Sequence, residues 1–138
     1  MKFLLPLLLL ASTQAIAGTY DGAWFFVKGE YTLKSGEIVT ADNHTVVAIK
    51  TVKGDKFALT NMREGVFNGY LSGEFKTHDD TYSEIITAGT SDEHQGKTFT
   101  FKGWLETSDV NGIETVFWHH QGMVNGVLET EVWRKIKP

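Results

Sequence analysis

The feature that most constrains this chain is a period of two. From about residue 20 onward, runs rich in Val, Ile, Phe, Thr and Trp alternate apolar with polar residues and are cut at intervals by glycine-containing turns. Successive side chains on a strand point to opposite faces, so such runs make half-buried strands. No segment of a dozen residues carries a clean helical stripe. After the first few residues the sole proline is Pro138, so nothing bars these runs from a hydrogen-bonded ladder.

Alternation predicts eight strands, at residues 22–31, 45–52, 56–62, 66–77, 81–88, 97–106, 113–120 and 127–136. A polar loop over residues 32–43 follows the first of them. Eight sequential strands with mostly short turns predict an all-β fold, a single up-and-down antiparallel barrel. A sandwich needs longer crossing connections than most of these turns supply. Gly69 and Gly73, inside the fourth run, suit a strand that bends sharply to close on itself. An eight-stranded barrel holds either packed side chains or one small ligand.

Residues 1–17 read differently. Lys2 precedes an apolar run from Phe3 to Ala11, and Ala15-Ile16-Ala17 has the small-residue pattern of a cleavage site. The run is shorter than the roughly 20 residues of a spanning helix. A signal peptide cleaved after Ala17 is therefore expected, leaving one domain over 18–138 and a secreted or periplasmic protein without stable membrane insertion. There is no cysteine, which excludes a disulfide framework, thiolate chemistry and lipid attachment at that site. The formal net charge is −4 and no basic run occurs, so nucleic acid and anionic membrane surfaces are poor partners.

The same alternation assigns faces. Phe57 and Leu59 share a face with Asn61; Phe67, Leu71 and Phe75 share one with Gly69 and Gly73; Phe99 and Phe101 share one with Leu105. These sets are expected inside, where they suit a dry core or a lipophilic pocket. In the fifth and eighth runs alternation leaves either face open, because carboxylates and large aromatics occupy one parity.

Gly22-Ala23-Trp24 at the start of the first run matches the G-x-W signature that opens lipocalins. "DDTYSEIITAG", then "GKTFTFKG" and a final E-x-W-R-K-I, resemble the lipocalin-like (calycin) domain of small exported bacterial proteins, over nearly the whole of residues 22–137. The resemblance implies a barrel with a cavity and no particular ligand. It implies that Arg134 closes over Trp24 at one barrel end, and that Tyr82, Glu84, Glu131 and Trp133 stand on the cavity side. The chain is shorter than large lipocalins and lacks a C-terminal helix after the eighth run.

His119 and His120 are adjacent, so on a regular strand they face opposite ways and cannot share a metal ion. No H-x-H spacing occurs, and no metal or cofactor is expected. His120 shares parity with Val116 and Trp118, the more cavity-like face, where it would contact a ligand or act as an acid or base beside Glu84 or Glu131. No nucleophile elbow or cysteine supports a catalytic triad. Asn43-His44-Thr45 is a glycosylation sequon that matters only if the source glycosylates exported proteins. The leading expectation is a binding protein for a small apolar or amphipathic molecule. The alternatives are a small acid–base enzyme using Glu84, Glu131 and His120, or a filled barrel whose rim loops bind a protein.

Overall fold

A computed structural model describes residues 18–138. The signal-peptide expectation lies outside the described residues. Nine strands occur among those residues: β1 (Gly22–Thr32), β2 (Ile38–Asp42), β3 (Val46–Lys53), β4 (Lys56–Arg63), β5 (Val66–His78), β6 (Thr81–Gly89), β7 (Thr98–Val110), β8 (Ile113–Val124) and β9 (Val127–Lys135). All pair antiparallel in the order β2-β1-β3-β4-β5-β6-β7-β8-β9, and β1 also pairs β9. Eight strands thus close into an up-and-down barrel, with β2 as an extra. Among the described residues no helix is long and apolar enough to cross a membrane.

The polar loop expected over 32–43 is a correction in part, because its second half is β2. This strand pairs Lys28–Thr32 of β1, while β3 pairs Gly22–Phe25 on the same edge. β2 and β3 are one strand interrupted by a turn at Asn43–Thr45, where the His44 amide donates to Asp42 Oδ1 at 2.9 Å. Polar Thr40 and Asp42 hid the alternation, since β2 is exposed along most of its length.

The turns follow backbone chemistry. Asn111-Gly112 and Asn125-Gly126 both have positive φ (53° and 80°; 50° and 80°), as a type I′ hairpin turn requires, which is why these dipeptides end β7 and β8. Gly73 answers a different need: a Cβ there would run into the Ile85 carbonyl of β6. A register shift sits at that point, with Thr87 the extra residue, and bends the wall.

Two further bulges invert the alternation. Asn68 is extra between β5 and β4, so Phe67 faces outward beside Met62 and is 57% exposed, against the inward expectation. Val27 is extra between β1 and β9, so inward parity passes from Trp24 and Phe26 to Gly29 and Tyr31. Leu105 is a third correction. β7 has no β6 partner beyond Lys102, so Leu105 stands past the barrel wall and is 39% exposed.

One end of the barrel is solid. Trp24, Tyr82 and Trp118 are fully buried there with Tyr20 and Phe75. Tyr20 stacks on Trp118 with ring centres 4.5 Å apart, and Trp24 meets Trp118 edge-on at 5.2 Å. Trp24 Nε1 donates to the Tyr20 carbonyl at 2.9 Å. The expected cap is corrected by one residue: Lys135, directly across from Trp24, places Nζ 5.6 Å from its ring centre. Arg134 instead lies outside over Phe25, at 5.5 Å.

Candidate functional site

The other end of the barrel encloses a cavity of about 470 Å³. Its wall carries Phe26, Ala48, Leu59, Leu71, Ile86, Phe99 and Phe101, and its rim Arg63, Tyr70, Ser91 and His94. Ser91 Oγ and His94 Nδ1 are hydrogen-bonded at 2.6 Å, and the His94 ring meets Phe99 edge-on at 5.5 Å, so the β6–β7 loop is fastened to the wall. Lys97 Nζ donates to Asn125 Oδ1 at 2.7 Å, tying that loop to the β8–β9 turn.

The floor is charged. Lys50, 1% exposed, donates to Glu84 Oε2 at 2.8 Å. Its Nζ lies 5.0 Å from the Trp118 ring centre and 4.9 Å from that of Trp133, so two indole faces share its charge with the carboxylate. Sequence pattern explains the placement: Ala48, Lys50 and Val52 share the inward parity of β3, and all three are buried.

Beside this pair, His120 stands directly opposite Glu131 on β9, and Glu129 is two residues along the same face. His120 Nε2 lies 3.0 Å from Glu129 Oε1 and 3.1 Å from Glu131 Oε1. Its Nδ1 is hydrogen-bonded to Tyr82 Oη at 2.6 Å, and its ring stacks on Phe101 with centres 4.3 Å apart. Glu131 also accepts from Tyr31 Oη at 2.6 Å and Trp133 Nε1 at 3.2 Å.

Burial alone would lower the His120 pKa, but its hydrogen bonds to Glu129 and Glu131 outweigh that and raise it. Burial would likewise raise Glu131, yet the bond and charge of His120, with Lys50 and Tyr31, bring it down to about 2. Glu129 goes the other way: burial and the neighbouring Glu131 charge raise it, only partly offset by His120. Burial, then the Glu84 charge, pushes the Tyr82 phenol well above its ordinary value, so it stays neutral. The two carboxylates, two residues apart on β9, are therefore pushed in opposite directions, Glu131 toward its charged form and Glu129 toward its neutral form.

Of the residues singled out from sequence, Leu59, Glu84, Phe99, Phe101, Glu131 and Trp133 line the cavity. Phe57, Phe75, Tyr82 and Trp118 do not; they are buried core, because the barrel is filled below Lys50. His120 is inside as its parity predicts, but behind the two glutamates. Sequence reasoning missed Lys50, Glu129 and Tyr31, whereas Asn61 lines the cavity on the inward face it was expected to share with Phe57 and Leu59. Lys50 and Glu129 were signalled by parity with Val52 and Glu131. Tyr31 was not, since the Val27 bulge inverts its face. Asn61 Oδ1 and Trp118 Nε1 are buried without a hydrogen-bond partner.

An eight-stranded antiparallel meander closed by its first and last strands is lipocalin-like architecture. Among solved structures, the chain is similar to a lipocalin-like protein from Bacteroides uniformis, at 15% identity over 86% of this chain and 100% of that one, with a TM-score of 0.48. It is also similar to an uncharacterized protein from Bacteroides eggerthii, at 18% identity over 85% of this chain and 99% of that one, with a TM-score of 0.49. No family model and no curated protein matches the sequence.

Proposed function

We propose that this protein is an exported carrier that holds one small amphipathic molecule in the open half of its barrel. The observation that carries the reading is the cavity of about 470 Å³, whose wall is apolar and whose floor is charged. That volume falls within the roughly 300–1,000 Å³ of small-molecule sites, and such sites combine an apolar lining with a few fixed polar groups. The ligand's apolar body lies among Leu59, Leu71, Ile86 and Phe99, and its polar head meets Lys50, Glu84, Glu129 and Glu131. Export is supported by the apolar run and A-x-A pattern of residues 1–17.

The test is displacement of a polarity-sensitive fluorescent fatty-acid analogue from the purified protein. Uptake of the probe, release by unlabelled amphiphile and loss of uptake in Phe99→Arg are the expected results. Failure of every apolar probe to enter would sink the reading. Recovery of a mature form beginning at Gly18 from the medium or periplasm tests export separately.

A second reading, acid–base catalysis at the same floor, draws on the convergence of Glu84, His120 and Glu131 inside one barrel. It predicts that an amphiphile incubated with the protein is recovered chemically altered, whereas a carrier returns it unchanged.

A further inference from the structure

We propose that His120, Glu129 and Glu131 form a binding site for one first-row divalent transition-metal ion, of the class of Zn²⁺, at the floor of the cavity. Among the described residues these three offer ligand atoms that all lie within 4.8 Å of one another. Bonds of about 2.1 Å set neighbouring donor atoms about 3.0 Å apart at octahedral angles and about 3.4 Å apart at tetrahedral ones. The Nε2–Oε1 separations are 3.0 and 3.1 Å. An ion in place of the Nε2 proton is therefore within reach of both carboxylates after small side-chain shifts.

The fold supplies what such a site needs beyond its three donors. All three come from one strand pair, in direct and diagonal register, so their spacing is fixed by the β8–β9 ladder rather than by loops. A second partner orients the imidazole, since Tyr82 Oη holds Nδ1 and so leaves Nε2 as the ligating nitrogen. Tyr31 and Trp133 hold the carboxylate of Glu131 in the same way. The nearest cation, Lys50, is already paired with Glu84. Glu129 and Glu131 both face the cavity, so the ion's remaining coordination positions open toward it. A mixed imidazole and carboxylate set suits zinc, iron or manganese better than the soft copper(I) ion.

This inference uses the same cavity as the carrier reading but stands independently of it, because its test uses metal alone. The chelator-treated protein is titrated with Zn²⁺ by calorimetry in two buffers of different ionisation enthalpy. The expected result is one ion per chain with net proton release, as Nε2 gives up its proton. Glu129→Gln, whose fold is checked by its melting curve, weakens binding at least tenfold. Tyr82→Phe keeps the ring but loses the positioning hydroxyl, and weakens binding roughly tenfold. His44→Asn, in the exposed turn between β2 and β3, leaves binding unchanged. Absence of saturable binding would overturn the site, as would binding insensitive to Glu129→Gln or abolished by His44→Asn, which would mark a surface site.

Discussion

The two halves of the barrel interior are built from the same strands and hold together for different reasons. Below Lys50, Trp24, Phe75, Tyr82 and Trp118 touch one another at ring distances of 5–6 Å and leave no room. Above it, the apolar wall faces a void and the floor carries ion pairs. The closed half draws its stability from burial and close packing, which need only apolar residues at the right parity. The open half keeps its shape through a polar network in which each group fixes the next, and such networks are sensitive to the loss of one member. Close packing and the open, polar-floored cavity thereby lie at opposite ends of one fold.

The strongest way to break that comparison is to truncate one aromatic from each half. Trp118→Ala removes a side chain enclosed on all sides and is expected to destabilise by about 3–5 kcal/mol. Phe99→Ala, on the cavity wall, leaves a surface that already lacks partners on one side, and about 1–2 kcal/mol is expected. Urea unfolding of both variants gives the comparison directly. Equal losses would mean that the cavity collapses when its wall is trimmed.

Next in size is the floor pair. Lys50→Met leaves Glu84 buried without its cation and is expected to cost about 3 kcal/mol. The double variant Lys50→Met with Glu84→Leu removes both charges, and its stability is expected to return close to that of the parent protein. The double variant should still take up apolar dyes while losing selectivity for charged head groups. If the double variant is no more stable than the single one, Lys50 matters through its packing between Trp118 and Trp133 rather than through its charge.

A third effect, on the order of 2 kcal/mol, is the pH dependence of the chelator-treated protein. The raised His120 pKa contributes stability that is full below its unfolded value of 6.5 and is lost as pH rises through the folded value. The lowered Glu131 pKa contributes stability that is full above 4.5 and is lost as pH falls toward about 2. Both contributions overlap between pH 4.5 and 6.5, and the raised Glu129 pKa, whose contribution is lost as pH rises above 4.5, places the expected melting-temperature peak toward the acid side of that window. His120→Asn should flatten the profile on both sides. A peak that persists in that variant would assign the dependence to other groups.

Legibility of the fold from sequence followed the same division. All eight barrel strands were visible because each has one apolar face and one wet face, so the period of two survives. The extra strand β2 was not, because both of its faces meet water and its Ile38 and Val39 are exposed. The inward placement of His120 was legible by parity, whereas that of Tyr82 and Glu84 followed from the family resemblance, since alternation left either face of their strand open. Which of them would meet a cavity was not legible, since parity tells inside from outside and says nothing of height along the barrel axis. Bulges were the other blind spot. One extra residue at Val27 or Asn68 reverses every assignment beyond it, which hid Tyr31 and misplaced Phe67.

The smallest expected effect concerns the cap on the closed half, where strand register corrects the motif resemblance. Resemblance placed Arg134 over Trp24, yet Arg134 shares parity with Val132, whereas Glu131, Trp133 and Lys135 form the inward set. Register settles the matter by pairing Trp24 with Lys135 and Phe25 with Arg134. Lys135→Met keeps the aliphatic stem but removes the ammonium from the Trp24 face, and is expected to cost about 0.5–1 kcal/mol. Arg134→Met acts on the outer surface over Phe25, where its loss should leave the melting temperature unchanged within error. Differential scanning fluorimetry of the two variants side by side is sufficient. If Arg134→Met proves the more damaging, the motif position carries the cap and the closed end is held by its outer face as well as its inner one.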